Sequence, residues 1–215
     1  MAPEAVYRGP MDRTERAQSM PVGARDDDGR DVLRFREGNE SAFESLVFRH
    51  ERQLYQIALR MLGGREDAME AVQETFLRIF RSLKDFRGDA AFRTWAVGIL
   101  LNLCRSRIAS SRERMRRREM ALLKVDAEGE MSAVDPPDQR PDPEAATLGG
   151  ELRRALEYAL GQVSPEHREI LILREIQGME YEELGQALGC AQGTVKSRLC
   201  RARQALREAL EGVWP

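Results

Sequence analysis

Apolar residues recur along this chain at intervals of three and four, the spacing that gathers them on one side of an α-helix. Phe43, Leu46, Val47, Leu54, Ile57, Ala58 and Met61 form one such stripe. Ala68, Val72, Phe76, Ile79 and Leu83 form the next, predicting a helix from about Glu66 to Leu83. Phe92, Trp95, Ala96, Ile99, Leu103 and Ile108 mark a longer helix from Ala90 to about Met115. A short helix over Asp28–Glu37 precedes them, and Gly38-Asn39 ends it, as residues tolerant of left-handed backbone do. Ser41-Ala42-Phe43-Glu44 predicts a capping box at the start of the second helix, and Gly63-Gly64 its end.

The second half repeats the pattern. Leu152, Leu156, Ala159, Leu160 and Val163 make one stripe, and Ile170, Leu171, Leu173 and Ile176 another. Ser164-Pro165 predicts a helix start, with Ser as cap and Pro in the first turn. Leu184, Ala187 and Leu188 form a short stripe that stops at Gly189. Val195, Leu199, Ala202 and Leu206 form the last one. The fold class read from this is all-α: two small helical domains, four helices in the first and a helix-turn-helix in the second.

Between the stripes the composition changes. Residues 1–27 carry Pro3, Pro10 and Pro21 and no periodicity, and are read as a disordered tail. Residues 28–112 are the first domain. From Asp126 to Glu144 acidic residues dominate and Pro136, Pro137, Pro141 and Pro143 forbid a continuous helix, so 113–148 is a flexible acidic linker. The second domain is 149–212. The formal net charge of −2 hides a segregation of sign. Arg105, Arg107, Arg112, Arg114, Arg116, Arg117 and Arg118 form a basic run directly before the acidic linker. Cys104, Cys190 and Cys200 lack framework spacing and suggest free thiols, more inert than redox-sensing. No apolar run approaches the ~20 residues of a membrane span, and no apolar signal segment is visible, so a cytoplasmic protein without membrane insertion is expected.

The candidate chemistry is that of nucleic-acid binding. A short helix, a Gly-containing turn and a basic helix make a helix-turn-helix, whose second helix enters the major groove. Gln192, Lys196, Ser197, Arg198, Arg201 and Arg203 lie off its apolar stripe, and such side chains pair with base edges or phosphate. Two ordinary core helices with a solvated basic face would show the same pattern. In the first half, Trp95, Asn102 and Arg105 recur on one helical face, combining stacking, hydrogen bonding and charge. Arg-rich helix ends meet phosphate, or merely satisfy the helix dipole. Asp67 and Glu70 have no catalytic partner in the sequence. His50 and His167 read as packing residues, and the scattered Cys and His lack metal spacing. No cofactor, no metal and no catalytic residue are expected.

The motifs together resemble the bacterial extracytoplasmic-function (ECF) sigma factors of RNA polymerase, over about residues 31–210. The carriers are Arg65-Glu66-Asp67, Val72-Gln73-Glu74-Thr75-Phe76, Phe86-Arg87-Gly88-Asp89 and Phe92-Arg93-Thr94-Trp95, then Ser164-Pro165-Glu166, Tyr181-Glu182-Glu183-Leu184 and Gly193-Thr194-Val195-Lys196-Ser197-Arg198. The resemblance implies sigma region 2 before the linker and region 4 after it. It implies docking of Asp67, Gln73, Glu74 and Phe76 on core polymerase, with the β′ clamp and β flap as contact points and a polar docking face. It implies minus-ten recognition and melting by Phe86, Arg87, Arg93, Trp95, Asn102, Arg105 and Arg107, with Phe86 and Asn102 holding a flipped base, whose unstacking a protein pocket must offset. It implies minus-thirty-five recognition by Gln192, Thr194, Lys196, Ser197, Arg198, Arg201 and Arg203. It also implies promoter DNA and an anti-sigma factor as partners, and a linker threading toward the polymerase active centre.

The chain departs from that pattern in three places. Ala191-Gln192 stand before Gly-Thr-Val where the family often has Pro. Cys200 stands where relatives often carry an aromatic or large residue. The N-terminal tail exceeds the minimal family form. Two other readings compete: a stand-alone helix-turn-helix regulator that binds duplex DNA, and a metal-dependent nuclease. The first domain separates them, since a regulator needs a sensor or dimerisation unit there. A nuclease needs a metal cluster or phosphate loop.

Overall fold

The computed structural model describes residues 27–125 and 148–212, with side chains over 27–116 and 154–212. The expectations for the tail and for the acidic stretch of the linker fall outside those residues. Eight α-helices follow in order: α1 (Asp27–Arg36), α2 (Ser41–Leu62), α3 (Arg65–Ser82), α4 (Phe92–Val125), α5 (Leu148–Gln162), α6 (Pro165–Leu171), α7 (Tyr181–Leu188) and α8 (Gln192–Glu211). A 3₁₀ turn, Leu83–Asp85, follows α3, and a π-helical segment, Ile172–Ile176, follows α6. α1 to α4 pack as one group and α5 to α8 as another, with α4 also lying along α7.

Most of the stripes read from the sequence are buried, though Ile176 is 38% exposed. Leu46, Leu54, Ile57, Ala58 and Met61 of α2 and Ala68, Ile79 and Leu83 are all inaccessible to solvent or nearly so. In the second group Ala159, Leu160, Val163, Ile170, Leu171, Leu173, Leu184, Val195, Leu199 and Ala202 are buried likewise. Gly63 and Gly189 end α2 and α7 at φ 81° and 65°. That left-handed backbone costs a Cβ-bearing residue about 1 kcal/mol or more and costs glycine little.

Two local expectations are revised. The Ser41–Glu44 capping box does not form. Asn39 Oδ1 instead accepts from the Ser41 amide (3.1 Å) and the Ser41 hydroxyl (2.6 Å). The capping box that does exist opens α7, where the Glu183 side chain accepts from the Glu180 amide (2.8 Å) and the Glu180 side chain takes the reciprocal bond. Ser164 caps α6 as expected, its hydroxyl accepting from the His167 amide (3.3 Å). Finally, α4 runs to Val125, about ten residues past its predicted end, because strong helix formers occupy 113–125 and no Pro or Gly interrupts them.

α4 differs from the other helices in being covered on two sides. Its predicted stripe is buried at Phe92, Ala96 and Leu103, but Val97, Leu100, Leu101 and Cys104 are fully buried too. One face packs on α2 and α3, and another receives α7. Gly98 marks how near that second approach is: a Cβ there would touch the carbonyl oxygen of Ala187 at 3.4 Å. The buried apolar residues of both groups therefore form one continuous cluster.

Candidate nucleic-acid interface

α1 is fastened to α2 by polar groups. Asp28 is buried, and its Oδ2 lies 2.9 Å from Nε2 of His50, which is itself only 6% exposed. Arg49 reaches the other Asp28 oxygen and also donates to Asp31 (2.9 Å). Burial pushes the Asp28 carboxyl up, but hydrogen bonds and charge from His50 and Arg49 outweigh it and leave the group below the usual carboxylate range. His50 is thus a packed histidine with a carboxylate partner, and its ring lies against Phe92 (5.1 Å between centroids).

The 3₁₀ turn delivers Phe86 to the start of α4. Its ring is 8% exposed and lies 4.7 Å from the Trp95 ring at a 35° tilt, with Phe92 edge-on at 6.2 Å. Arg36 donates to the Phe86 carbonyl. Arg87 is exposed beside Asp89 (3.3 Å). One and two turns along α4 from Trp95 stand Gly98 and Asn102. Asn102 is exposed, and its Oδ1 accepts from Arg105 (2.9 Å). The structure therefore places Trp95, Asn102 and Arg105 along one face, as the sequence predicts. It covers the Phe86 ring rather than presenting it.

Three basic residues of α4 are already engaged. Arg93 donates to the Gln177 carbonyl (2.9 Å), which the π-helical segment and Gly178 (φ 66°) turn toward α4. Arg105 donates through Nε and a terminal nitrogen to the two oxygens of Glu169 (2.8 and 3.0 Å). Arg107 reaches Glu70 (3.0 Å) and Asp67 (3.7 Å) of α3. Glu169 and Gln177 carry no periodic or motif signal, and sequence reasoning missed both.

α7 and α8 form the expected helix-turn-helix. Gly185 is required at their junction, because a Cβ there would fall 2.9 Å from the Cys190 carbonyl oxygen. Gln192, Thr194, Lys196, Ser197, Arg201 and Arg203 are exposed, and Ala191-Gln192 open α8 without a side-chain cap. Arg203 is paired with Glu175 (2.7 Å), and Arg198 is drawn back to Glu169 (3.6 Å). Cys200 is exposed, Cys190 is half-buried, and Cys104 is buried, its thiol pushed up to about 12 by desolvation. Only Cys104 fits the description of a buried inert thiol.

On α3 the expected docking residues divide. Asp67 and Gln73 are exposed, and Glu74 is half-buried and bonded to Arg78 (2.8 Å). Phe76 faces inward, edge-on to Phe43, and offers no surface to a partner. The face is also less polar than expected. Met69, Leu77 (51% exposed) and Phe80 share it with Gln73, at helical positions the stripe analysis assigned to solvent.

Among the described residues, no three His, Cys, Asp or Glu side chains converge where an ion would fit, and no helix is long and apolar enough to cross a membrane. Known families match the two helix groups separately. Residues 46–114 match the model of Sigma-70 region 2, and residues 153–206 that of Sigma-70, region 4. The chain is 30% identical over 181 residues to the RNA polymerase sigma-H factor of Pseudomonas aeruginosa, covering 84% of this chain and 92% of that one. It is 36% identical over 169 residues to the ECF RNA polymerase sigma factor SigE of Mycolicibacterium smegmatis, covering 79% and 62%. Among solved structures, CnrH in complex with the cytosolic domain of CnrY superposes with a TM-score of 0.62 at 26% identity, covering 87% of this chain and 99% of that one. The sigma factor RpoE of Bartonella quintana, in complex with the anti-sigma factor NepR, superposes at 0.52 with 25% identity, covering 80% and 98%. The order of the two regions, the helix-turn-helix at the second and the similarity across nearly the whole length of the sigma-H factor agree: this chain belongs to the ECF sigma factors of the sigma-70 family.

Proposed function

We infer that this chain binds core RNA polymerase through the first helix group, reads an upstream promoter element with α8 and captures the opened minus-ten strand beside α4. The observation that carries this reading is the succession of the two sigma-70 regions, the second exposing Lys196, Ser197 and Arg201 on its recognition helix. Those side chains supply the cation and hydroxyl groups that base edges and phosphates accept. Residues 28–112 then act as the polymerase-binding and melting unit, and 149–212 as the upstream reader.

Asp67, Gln73 and Glu74 form the polar part of the docking face on α3, and Leu77 and Met69 add apolar area. Phe86, Trp95 and Asn102 serve the flipped base, and Arg87, Arg93, Arg105 and Arg107 serve the strand around it. Gln192, Thr194, Arg198 and Arg203 complete the α8 set. The chain makes and breaks no covalent bond; binding energy for the single strand drives opening inside the polymerase, in the cytoplasm. An anti-sigma factor is a partner, in keeping with the complexes that the two structurally similar sigma factors form. Runoff transcription with core polymerase over a promoter library tests the whole reading. Promoter-dependent transcripts are expected. Tight duplex binding with no transcripts would favour a stand-alone regulator.

A further inference from the structure

We propose that Glu169 is an internal substitute for DNA phosphate that holds the free chain closed. The proposal rests on the assignment of Arg105 and Arg198 to promoter DNA. Glu169 is 1% exposed, on α6. Its carboxylate receives two hydrogen bonds from Arg105 of α4, at 2.8 and 3.0 Å. It also has Arg198 of the recognition helix at 3.6 Å. A carboxylate that takes a two-pronged arginine contact presents the same paired oxygens that a phosphate would. One buried anion thus occupies a cation assigned to the minus-ten strand and a cation assigned to the upstream element. Neither arginine can grip DNA without leaving it.

The surrounding contacts belong to the same closure. Arg93 is held by the Gln177 carbonyl (2.9 Å), and the Gln53 amide donates to the Gln177 side chain (2.9 Å). Arg168 donates to the Met61 carbonyl (3.0 Å). At Gly98 the two groups approach so closely that a Cβ would meet the Ala187 carbonyl at 3.4 Å. The two groups also share one continuous apolar cluster, so opening uncovers apolar area as well as freeing Arg105 and Arg93. Burying a charge is costly unless it is paired. Arg198 comes from Glu169's own helix group, so Arg105 is the partner that the closed arrangement supplies.

The test uses the full chain without polymerase. Small-angle X-ray scattering reads its dimensions, and fluorescence anisotropy reads its affinity for a labelled duplex over a salt series. Glu169→Gln removes the charge, and Gly98→Gln wedges the two groups apart without altering any charge. Both variants are expected to scatter as larger particles and to bind DNA about tenfold more tightly at low salt. The dependence of log K on log salt should steepen by about 1, the contribution of Arg105 as one additional phosphate contact. Circular dichroism checks folding; if Glu169→Gln disrupts the second group, Gly98→Gln decides alone. Unchanged dimensions, or expansion without any gain in DNA binding, would overturn the proposal. Runoff transcription with core polymerase is run alongside. Transcripts from the unsubstituted chain keep the promoter-binding reading intact whatever the scattering shows, and their absence removes that reading instead.

Discussion

The indole of Trp95 covers the ring of Phe86, with centroids 4.7 Å apart and planes tilted by 35°. With Trp95 over it and Phe92 edge-on, Phe86 is only 8% exposed and has no open face for a base. Base capture at Phe86 therefore requires the indole to move. In a Trp214→Phe background, Trp95 is the only tryptophan, and its emission should shift when polymerase-bound chain opens a promoter. Phe86→Ala is expected to cost about 3 kcal/mol of stability, as loss of a buried aromatic does. It should also abolish opening, read by chemical denaturation and by permanganate reactivity of unpaired thymines. An emission that stays constant through opening would place the base elsewhere.

Asn102→Ala removes an exposed amide whose carbonyl oxygen accepts from Arg105. Arg105 retains both bonds to Glu169, so the fold should hold. The expected outcome is impaired opening and weakened minus-ten preference with unchanged affinity for core polymerase. Co-elution with core separates the two effects, and loss of co-elution would move Asn102 to the docking surface.

On α8 the exposed and the tethered cations should behave differently. Lys196→Ala is expected to weaken binding across all sequences and to reduce the salt slope by about 1, as loss of one phosphate contact does. Arg198→Ala is expected to cost about 1–3 kcal/mol at particular upstream bases. Competition among upstream sequence variants in the holoenzyme checks both, and an unchanged preference in Arg198→Ala would return that residue to a purely internal role.

Asp28 links stability to pH. Its carboxyl is held below the ordinary value, so the folded state binds fewer protons there than the unfolded one. The stabilisation is present above the unfolded carboxylate value of about 3.9 and is lost as pH falls through the lower folded value. Asp28→Asn should reduce stability near neutrality by about 2 kcal/mol, the worth of hydrogen bonds to a charged group. It should also flatten the decline of stability below about pH 4. Urea denaturation at a series of pH values measures this, and parallel curves for the two proteins would count against the clasp.

Gly185→Ala places a methyl 2.9 Å from the Cys190 carbonyl oxygen, closer than real Cβ contacts allow. The turn must shift, at a cost of about 1–3 kcal/mol, typical of overpacking. Thermal unfolding of the full chain should show it, together with a loss of upstream-element binding.

Periodicity exposed the helices because each has one apolar face that must leave water, and α2, α3 and α8 obey it closely. It failed at α4, where a second face is buried by α7; Val97, Leu100 and Cys104 break a single stripe because two stripes are superposed. At Phe76 periodicity held and the implied docking role did not follow: the motif and the core stripe coincide there, and packing takes the ring. Motif spacing singled out Asn102, Lys196 and Arg201, and all three are exposed, because their placement depends on one helix alone. Glu169 and Gln177 stayed invisible, since their meaning depends on side chains 64 and 84 residues away. The Asn39 cap was missed because Ser41 and Glu44 satisfied a common pattern two residues too late.

The two described segments end at Val125 and begin again at Leu148. Covalent geometry limits any path through residues 126–147 to about 80 Å when fully drawn out, at roughly 3.5 Å per residue. On the proposed reading the chain is a ruler with a stop: once Arg105 parts from Glu169, the two helix groups can separate only as far as residues 126–147 can reach. The permitted spacing between the two promoter elements is then a property of the tether's length as well as of the DNA.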